Sequence, residues 1–334
     1  MNGTEASASF DCFGCSCVAF VSGEGELGCA QAAVEKVRSR LQSWHVRFSR
    51  FRAASELSLL NSDPAEEVRV SPLMARLADA VLMAGSLSDG LVDATLIDQI
   101  ETAGYATDLS HTLDLSLALA LAPERRSAVA SRSAMWRQIE VDPATRTVKR
   151  PPGVKLDSGG LGKGLFADVL AETLASHGSF AISCGGDVSI GGAAGLARSI
   201  HVESPFDGSV LHTFECRQTG VATSGIGRRS WLDRSGRPAH HLLDPSSGKP
   251  AFTGVVQVTA LAPSALAAEI YAKAAVLSGP LSAPGWLPYG GVIVLDDGSH
   301  RVLEPPAAGE AHAPVQLRAN RVASSEPPVA SPAV

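Results

Sequence analysis

The sequence predicts an α+β fold, one domain over residues 1–304 with mixed, mostly antiparallel sheets and flanking helices, and three observations point to it. Residues 154–188 read as strand, glycine turn, helix and strand, with apolar residues at 161, 165, 169, 170 and 174 in helical spacing. Beyond Gly191-Gly192 short β-rich runs alternate with turn residues, the pattern of a sheet whose strands are mostly antiparallel. Helical periodicities at 30–48 and 71–88 precede both. From Glu304 onward Pro, Ala, Ser and Glu dominate, and 305–334 is expected to be a disordered tail.

In chain order, Ser9 to Val21 reads as a strand and Glu24 to Cys29 as a turn. The helix at 30–48 puts Ala33, Val37, Leu41 and Trp44 on one face. Ser55 is a suitable N-cap for a short helix, closed by polar residues and a proline at 61–64. Ser71-Pro72 opens a helix to about Ser88, and Asp89 to Thr95 is a turn with two aspartates. Residues 97–130 are rich in Leu and Ala, helical or irregular. Trp136 to Val148 is a hairpin candidate that turns at Asp142 to Thr145. In the central unit Val154 to Leu156 is the first strand and Gly178 the helix C-cap, and Phe180 begins a strand that ends in Gly185-Gly186-Asp187. Strands near 199–203 and 209–216, and another at 220–225, lead to A-H-H-L-L-D-P-S-S-G-K-P at 239–250, a strand running into an Asp-Pro turn. Val255 to Ala262 is a strand, Ser264 caps a helix to Ser278, and 292–302 is a hairpin around Asp297-Gly298.

At 45% hydrophobic and 19% charged residues, the 334-residue chain has the composition of a soluble protein with a sizeable core. A net charge of -6 without a basic run argues against nucleic acid as a partner, because phosphate contacts need clustered Lys and Arg. No run is apolar enough to span a bilayer, and Met1 to Glu5 lacks the basic and apolar parts of a signal peptide. A cytoplasmic location without membrane insertion is the expectation. Cys12, Cys15, Cys17 and Cys29 crowd the start, but Cys12-x-x-Cys15 has no second pair or histidines at ligand spacing nearby. They read as small apolar positions of a buried strand.

The turn at 157–164 carries the chemistry. Unpaired N–H groups and the positive end of a helix dipole meet there beside Lys163, which suits an anion, most simply a phosphate. A Walker pattern fails, because Asp157 stands five before Gly162 and Gly164 follows Lys163. A dinucleotide fingerprint fits loosely as Gly162-x-Gly164-x-x-Ala167 but begins inside the helical periodicity. Close packing would account for the glycines, though not for Lys163 and Asp157.

Five blocks in order, F-S-R-F-x-x-x-S-E-L-S-x-L-N (48–61), D-G-L-V-D-A-T (89–95), L-D-S-G-G-L-G-K-G (156–164), A-T-S-G (222–225) and H-H-L-L-D-P-S-S-G-K-P (240–250), resemble the ApbE family of FAD:protein FMN transferases. The resemblance covers roughly residues 8–303. It implies transfer of FMN from FAD to a Thr or Ser hydroxyl of an acceptor flavoprotein domain through a phosphoester, with release of AMP. By the same resemblance Asp157, Lys163 and the backbone near Gly160 hold FAD, and the Gly185-Gly186-Asp187 turn lines the same cavity. Phe13, Phe51, Leu91, Val92 and Asp93 match flavin-nucleotide contacts, Phe13 standing where the family often has Met, and Ser224 of the fourth block is assigned with them.

His241 matches the family's general base, and an ordinary imidazole pKa suits proton removal near neutrality. The alternative is a structural histidine bonded to the Asp244-Pro245 turn. His240 points to the other face of the strand, so one of the two can face a site. In the helix S-A-L-A-A-E-I-Y-A-K-A (264–274) the resemblance implies an Asp and, four residues later, a Thr that bind magnesium together with a carbonyl near the glycine turn, here Gly160. Glu269 and Lys273 occupy those positions, one turn apart on one face. Lys273 would bring positive charge to the diphosphate, with Glu269 reaching magnesium or orienting the lysine. Otherwise they are an i,i+4 pair on a solvated face. A charged lysine is no metal ligand, so the need for magnesium stays open. The same change keeps open an FAD-binding or FAD-hydrolysing homologue without protein flavinylation.

Overall fold

A computed structural model describes residues 5–109 and 112–306. Eight strands make one sheet: β1 (Ala6–Cys12), β2 (Cys15–Ser22), β3 (Ser179–Cys184), β4 (Asp187–Gly191), β5 (Gly220–Gly225), β6 (Val255–Ala262), β7 (Gly291–Leu295) and β8 (His300–Leu303). They lie in sequence order, and every neighbouring pair is antiparallel. The smaller sheets among the described residues are antiparallel as well, in keeping with the expected α+β fold of mostly antiparallel sheets.

Helices enter as insertions. Between β2 and β3 come α1 (Ala30–Phe48), α2 (Glu56–Ser62), α3 (Pro72–Leu87), α4 (Ile97–Thr102), α5 (Leu115–Ala120) and α6 (Gly162–Leu174). Between β6 and β7 comes α7 (Ala265–Ser278). Ser55, Ser71 and Ser264 cap α2, α3 and α7 by accepting from the amides of Ser58, Met74 and Ala267. No helix among the described residues is long and apolar enough to cross a membrane.

Strand alternation divides the core. Phe180, Ile182 and Cys184 of β3 join one cluster with α1, α3 and α6, while Ala181 between them joins a second with Val202 and Phe214 of the 198–216 hairpin. Helix α7 is buried along its whole length except at Tyr271. A helix enclosed on all sides is ordinarily apolar throughout, yet this one carries Glu269 and Lys273 inward.

Four local expectations change. The strand foreseen at 9–21 is the hairpin β1–β2, turning at Phe13 and Gly14 with φ of +55° and +65°. That geometry favours Asn-Gly over Phe-Gly, so the sequence carried no turn signal. Val154 to Leu156 joins no sheet, and the Asn61 side chain bonds its backbone where a neighbouring strand was expected. It accepts from the Leu156 amide at 2.8 Å and donates to its carbonyl at 2.9 Å. Trp136 lies in a 3-10 turn, Met135–Gln138, and leaves Glu140–Asp142 and Thr147–Lys149 as the paired strands. Gly178 is no left-handed cap; a Cβ there would meet the Ser22 carbonyl at 3.2 Å, so it serves a close approach. Of the expected tail, residues 307–334 lie outside the described residues.

Candidate active site

One cavity of about 480 Å³ opens among the first turn of α6, the β1–β2 turn, the segments 48–52, 91–96 and 157–163, and His241. This volume is in the range of small-molecule sites. Its lining includes Phe13, Phe51, Leu91, Val92, Asp93, Asp157, Gly160, Lys163, His241 and Lys273. Residues from six stretches far apart in sequence therefore meet. Five basic side chains (Arg50, Arg52, Lys163, Arg229, Lys273) face three acidic ones (Asp93, Asp108, Asp157), which favours an anionic guest.

Local structure explains the placement of each. Positive φ at the hairpin tip turns Phe13 inward, where it stacks on His45 and Phe166 with centroids 5.2 Å away in each case. The His45 Nδ1 accepts from the Phe13 amide at 2.7 Å, and Arg229 Nη2 donates to the Phe13 carbonyl at 3.1 Å. Asp93 accepts from the Thr95 amide at 2.8 Å and from its hydroxyl at 2.5 Å, while burial pushes its carboxyl up. Asp157 accepts from the Gly159 amide at 2.9 Å and shapes the glycine turn.

Below the turn lies a network of buried charges. Lys163 Nζ sits 2.5 Å from Asp187 Oδ2 and 3.9 Å from Glu269 Oε1, and Lys273 Nζ donates to the same Glu269 oxygen at 2.8 Å. The other Glu269 oxygen accepts from the Gly164 amide at 3.0 Å. Burial drives Asp187 up to about 6 against the pull of the Lys163 ammonium. Burial would raise Glu269 too, but Lys273 and Lys163 outweigh it and hold its carboxyl below the usual range. Burial would lower Lys163, and here Asp187 and Glu269 win and raise it.

His241 faces the cavity, its backbone N–H donating to the Arg229 carbonyl at 3.3 Å. Burial, with the charges of Arg229, His240 and Lys273, holds its pKa well below the ordinary imidazole value. The ring is therefore neutral near pH 7. His240 turns the other way, fully buried and edge-on to Phe252 at 4.6 Å, and burial lowers it to about 3.

Several assigned residues stand elsewhere. Gly185, Gly186, Asp187, Ser224 and Glu269 are not among the residues lining the cavity. Gly185 and Gly186 form the β3–β4 turn, with φ of +66° and +97°, and Asp187 lies behind Lys163. Ser224 is buried in β5 opposite Val258. Glu269 is fully buried and Lys273 6% exposed, which overturns the alternative of a solvated-face pair. Gly164 serves close packing, since a Cβ would meet the Ala265 carbonyl oxygen at 2.7 Å.

Magnesium at Gly160 and Glu269 does not fit the residues present. Both Glu269 oxygens are committed, one to an ammonium and one to an amide, and a second ammonium stands 3.9 Å away. No group of three or more His, Cys, Asp or Glu residues among those described could hold a metal ion. Three further residues of the lining escaped the sequence reading. Arg50 lies over both Phe51 and Tyr105, 4.3 and 4.6 Å from the ring centroids, and the two rings also touch each other, with centroids 5.5 Å apart. It stood inside the first motif block, whereas Tyr105 and Arg229 carried no local pattern.

An antiparallel α+β domain whose cavity carries more basic than acidic side chains beside a buried helix suits an anionic small molecule. The chain belongs to the ApbE family, whose model matches residues 6–293. It is 24% identical over 255 residues to the FAD:protein FMN transferase of Escherichia coli K12, covering 74% of this chain and 71% of that protein. To the FAD:protein FMN transferase of Treponema pallidum it is 26% identical over 269 residues, 74% and 72% of the two chains. The crystal structure of the ApbE protein from Thermotoga maritima superposes with a TM-score of 0.72 at 24% identity, covering 90% of this chain and 97% of that one. The apo flavinyl transferase ApbE of Pseudomonas stutzeri gives 0.70 at 20% identity, covering 90% and 95%.

Proposed function

We propose that this chain is an FAD:protein FMN transferase, which moves FMN from FAD to a Thr or Ser hydroxyl of an acceptor flavoprotein domain. The observation that carries the reading is the meeting of His241, Lys163, Lys273 and the 157–164 turn in one cavity. Family membership and the named activity of the relatives support it.

In this reading the acceptor hydroxyl oxygen attacks the phosphorus on the FMN side of the FAD diphosphate. The bond from that phosphorus to the bridging oxygen breaks, the bridging oxygen leaves with AMP, and the new phosphoester joins FMN to the acceptor. Neutral His241 takes the hydroxyl proton, a role for which its depressed pKa keeps it free at pH 7. Lys163, Lys273 and Arg229 offset the charge that grows on the phosphoryl oxygens. Phe13, Phe51, Tyr105 and the Leu91–Asp93 turn hold the flat parts of the nucleotide and keep water off the reacting atoms.

The test incubates the protein with FAD and an acceptor domain bearing a target threonine, and follows the acceptor's mass and AMP. A gain of one FMN with AMP supports the reading. AMP without a mass gain would instead assign FAD hydrolysis, and neither product would leave FAD binding alone. His241→Ala should keep FAD affinity within roughly tenfold yet lose transfer, since a base acts mainly on the transition state.

A further inference from the structure

We propose that the Lys273 ammonium, seated on Glu269, is a built-in counter-charge for a diphosphate in place of a divalent metal, so that this chain binds FAD without a divalent cation. The inference rests on the flavin-transfer reading above and specifies how its site meets the diphosphate.

The donor set makes the argument. A divalent ion needs several free oxygens, and Mg²⁺ in particular demands a near-octahedral oxygen shell. Here the carboxylate at the relevant place has one oxygen 2.8 Å from the Lys273 Nζ and the other 3.0 Å from the Gly164 amide nitrogen. Lys163 Nζ lies 3.9 Å from the first oxygen, so an arriving cation would meet two fixed positive charges. Relocating Lys273 is obstructed, because α7 is enclosed by the core around it.

The lysine is also aimed. It lines the cavity, and its stem passes the glycine turn so closely that a Cβ on Gly160 would stand 3.8 Å from its Cε. Glu269 lies behind it and fixes its direction, as a charge-assisted pair one helical turn apart can do. His241 feels the lysine's charge, which places the ammonium in electrostatic reach of the base.

The experiment measures FAD binding by flavin fluorescence on chelator-stripped protein, in EDTA and in excess Mg²⁺, with Mn²⁺ binding followed by electron paramagnetic resonance. The parent, Lys273→Thr and the neutral double variant Lys273→Met with Glu269→Gln are compared after thermal melts establish that each is folded. The parent should bind FAD with a Kd that changes less than about twofold between EDTA and Mg²⁺ and should hold no Mn²⁺. Lys273→Thr should lose about tenfold or more in EDTA, by removal of a charge-assisted contact, and regain affinity with Mg²⁺. The double variant should bind weakly under both conditions. A parent that binds FAD only with Mg²⁺, or a double variant that binds like the parent, would overturn the metal-free assignment and leave the flavin-transfer reading standing. Absence of FAD binding in both EDTA and Mg²⁺ would overturn both.

Discussion

Gly164→Ala probes the junction on which the site is built. A Cβ at this position would approach the Ala265 carbonyl oxygen to 2.7 Å and the Leu266 Cα to 2.8 Å, where ordinary contacts begin at 3.4 Å. Both are backbone atoms of the α7 start, so no side chain can swing aside, and α6 and α7 must part by roughly 0.7 Å. Overpacking of this kind costs about 1–3 kcal/mol. Replacing glycine in a helix returns up to about 1 kcal/mol, less in a first turn such as this. The net expectation is a loss of about 1–2 kcal/mol, which with a urea slope near 3 kcal/mol per M lowers the unfolding midpoint by roughly 0.3–0.7 M. The same separation stretches the Gly164 amide to Glu269 bond, now 3.0 Å, so FAD affinity should fall as well. Gly285→Ala is the control, because a Cβ there meets nothing within 4 Å and its φ lies outside the left-handed region. If Gly164→Ala unfolded at the same urea concentration as Gly285→Ala, the close crossing of the two helices would be refuted.

Three other measurements address separate parts of the molecule. The acid limb of kcat/KM should lie below pH 6.5, because burial and nearby cations hold His241 down in the free enzyme, and the limb of kcat should lie at higher pH, because bound diphosphate offsets those cations. Coincident limbs, or the reverse order, would count against His241 as the base. Arg150 is fully buried and donates to the carbonyls of Leu60 and Asp63 at the end of α2, so Arg150→Ala should cost roughly 2–4 kcal/mol in a denaturant melt. A loss under about 0.5 kcal/mol, the scatter of surface changes, would show that α2 does not depend on it. Arg50→Lys keeps the charge but not the planar guanidinium lying over Phe51 and Tyr105, and should weaken FAD binding about three- to tenfold. An unchanged Kd would remove Arg50 from the binding wall.

How much was legible in the sequence depended on whether the signal was local. Capping serines and apolar spacing fix α1, α2, α3 and α7 from short windows, and the structure has them at the expected residues. The N-terminal hairpin was missed because its turn is Phe-Gly, with Phe13 at a positive φ where Asn or Asp would have marked the turn. Val154 to Leu156 looked like a strand because it is a short, largely apolar run, but its backbone partner is a side chain from 95 residues earlier, which no window contains. At the site, the glycine turn was read as a seat for a ligand anion. One of its amides in fact holds the protein's own Glu269, reaching in from a helix 105 residues away. Five residues carried over from the motif blocks and the glycine turns are likewise absent from the cavity lining, because a motif records proximity in sequence and not which layer of the site a side chain occupies.

The layering has a chemical consequence. Lys163 and Lys273 line the cavity while Asp187 and Glu269 stand behind them, so the four charges cancel in the protein alone and their burial is compensated. An arriving diphosphate meets the cationic side of that pairing. Asp187 and Glu269 also raise Lys163, so its ammonium persists through neutral and mildly alkaline pH and anion binding should not fade there by deprotonation of Lys163. Titration between pH 5 and 8 is then shared by Asp187, which burial raises to about 6 behind the cavity, and the imidazoles of the lining, His45 and His241. His45 is committed as the acceptor of the Phe13 amide, and burial lowers it. His45→Asn replaces that imidazole with a group that does not titrate. An acid limb that survives His45→Asn and moves upward with Arg229→Gln, which removes a cation now holding His241 down, would report on His241; a limb that vanishes with His45→Asn would transfer the assignment to the hairpin tip.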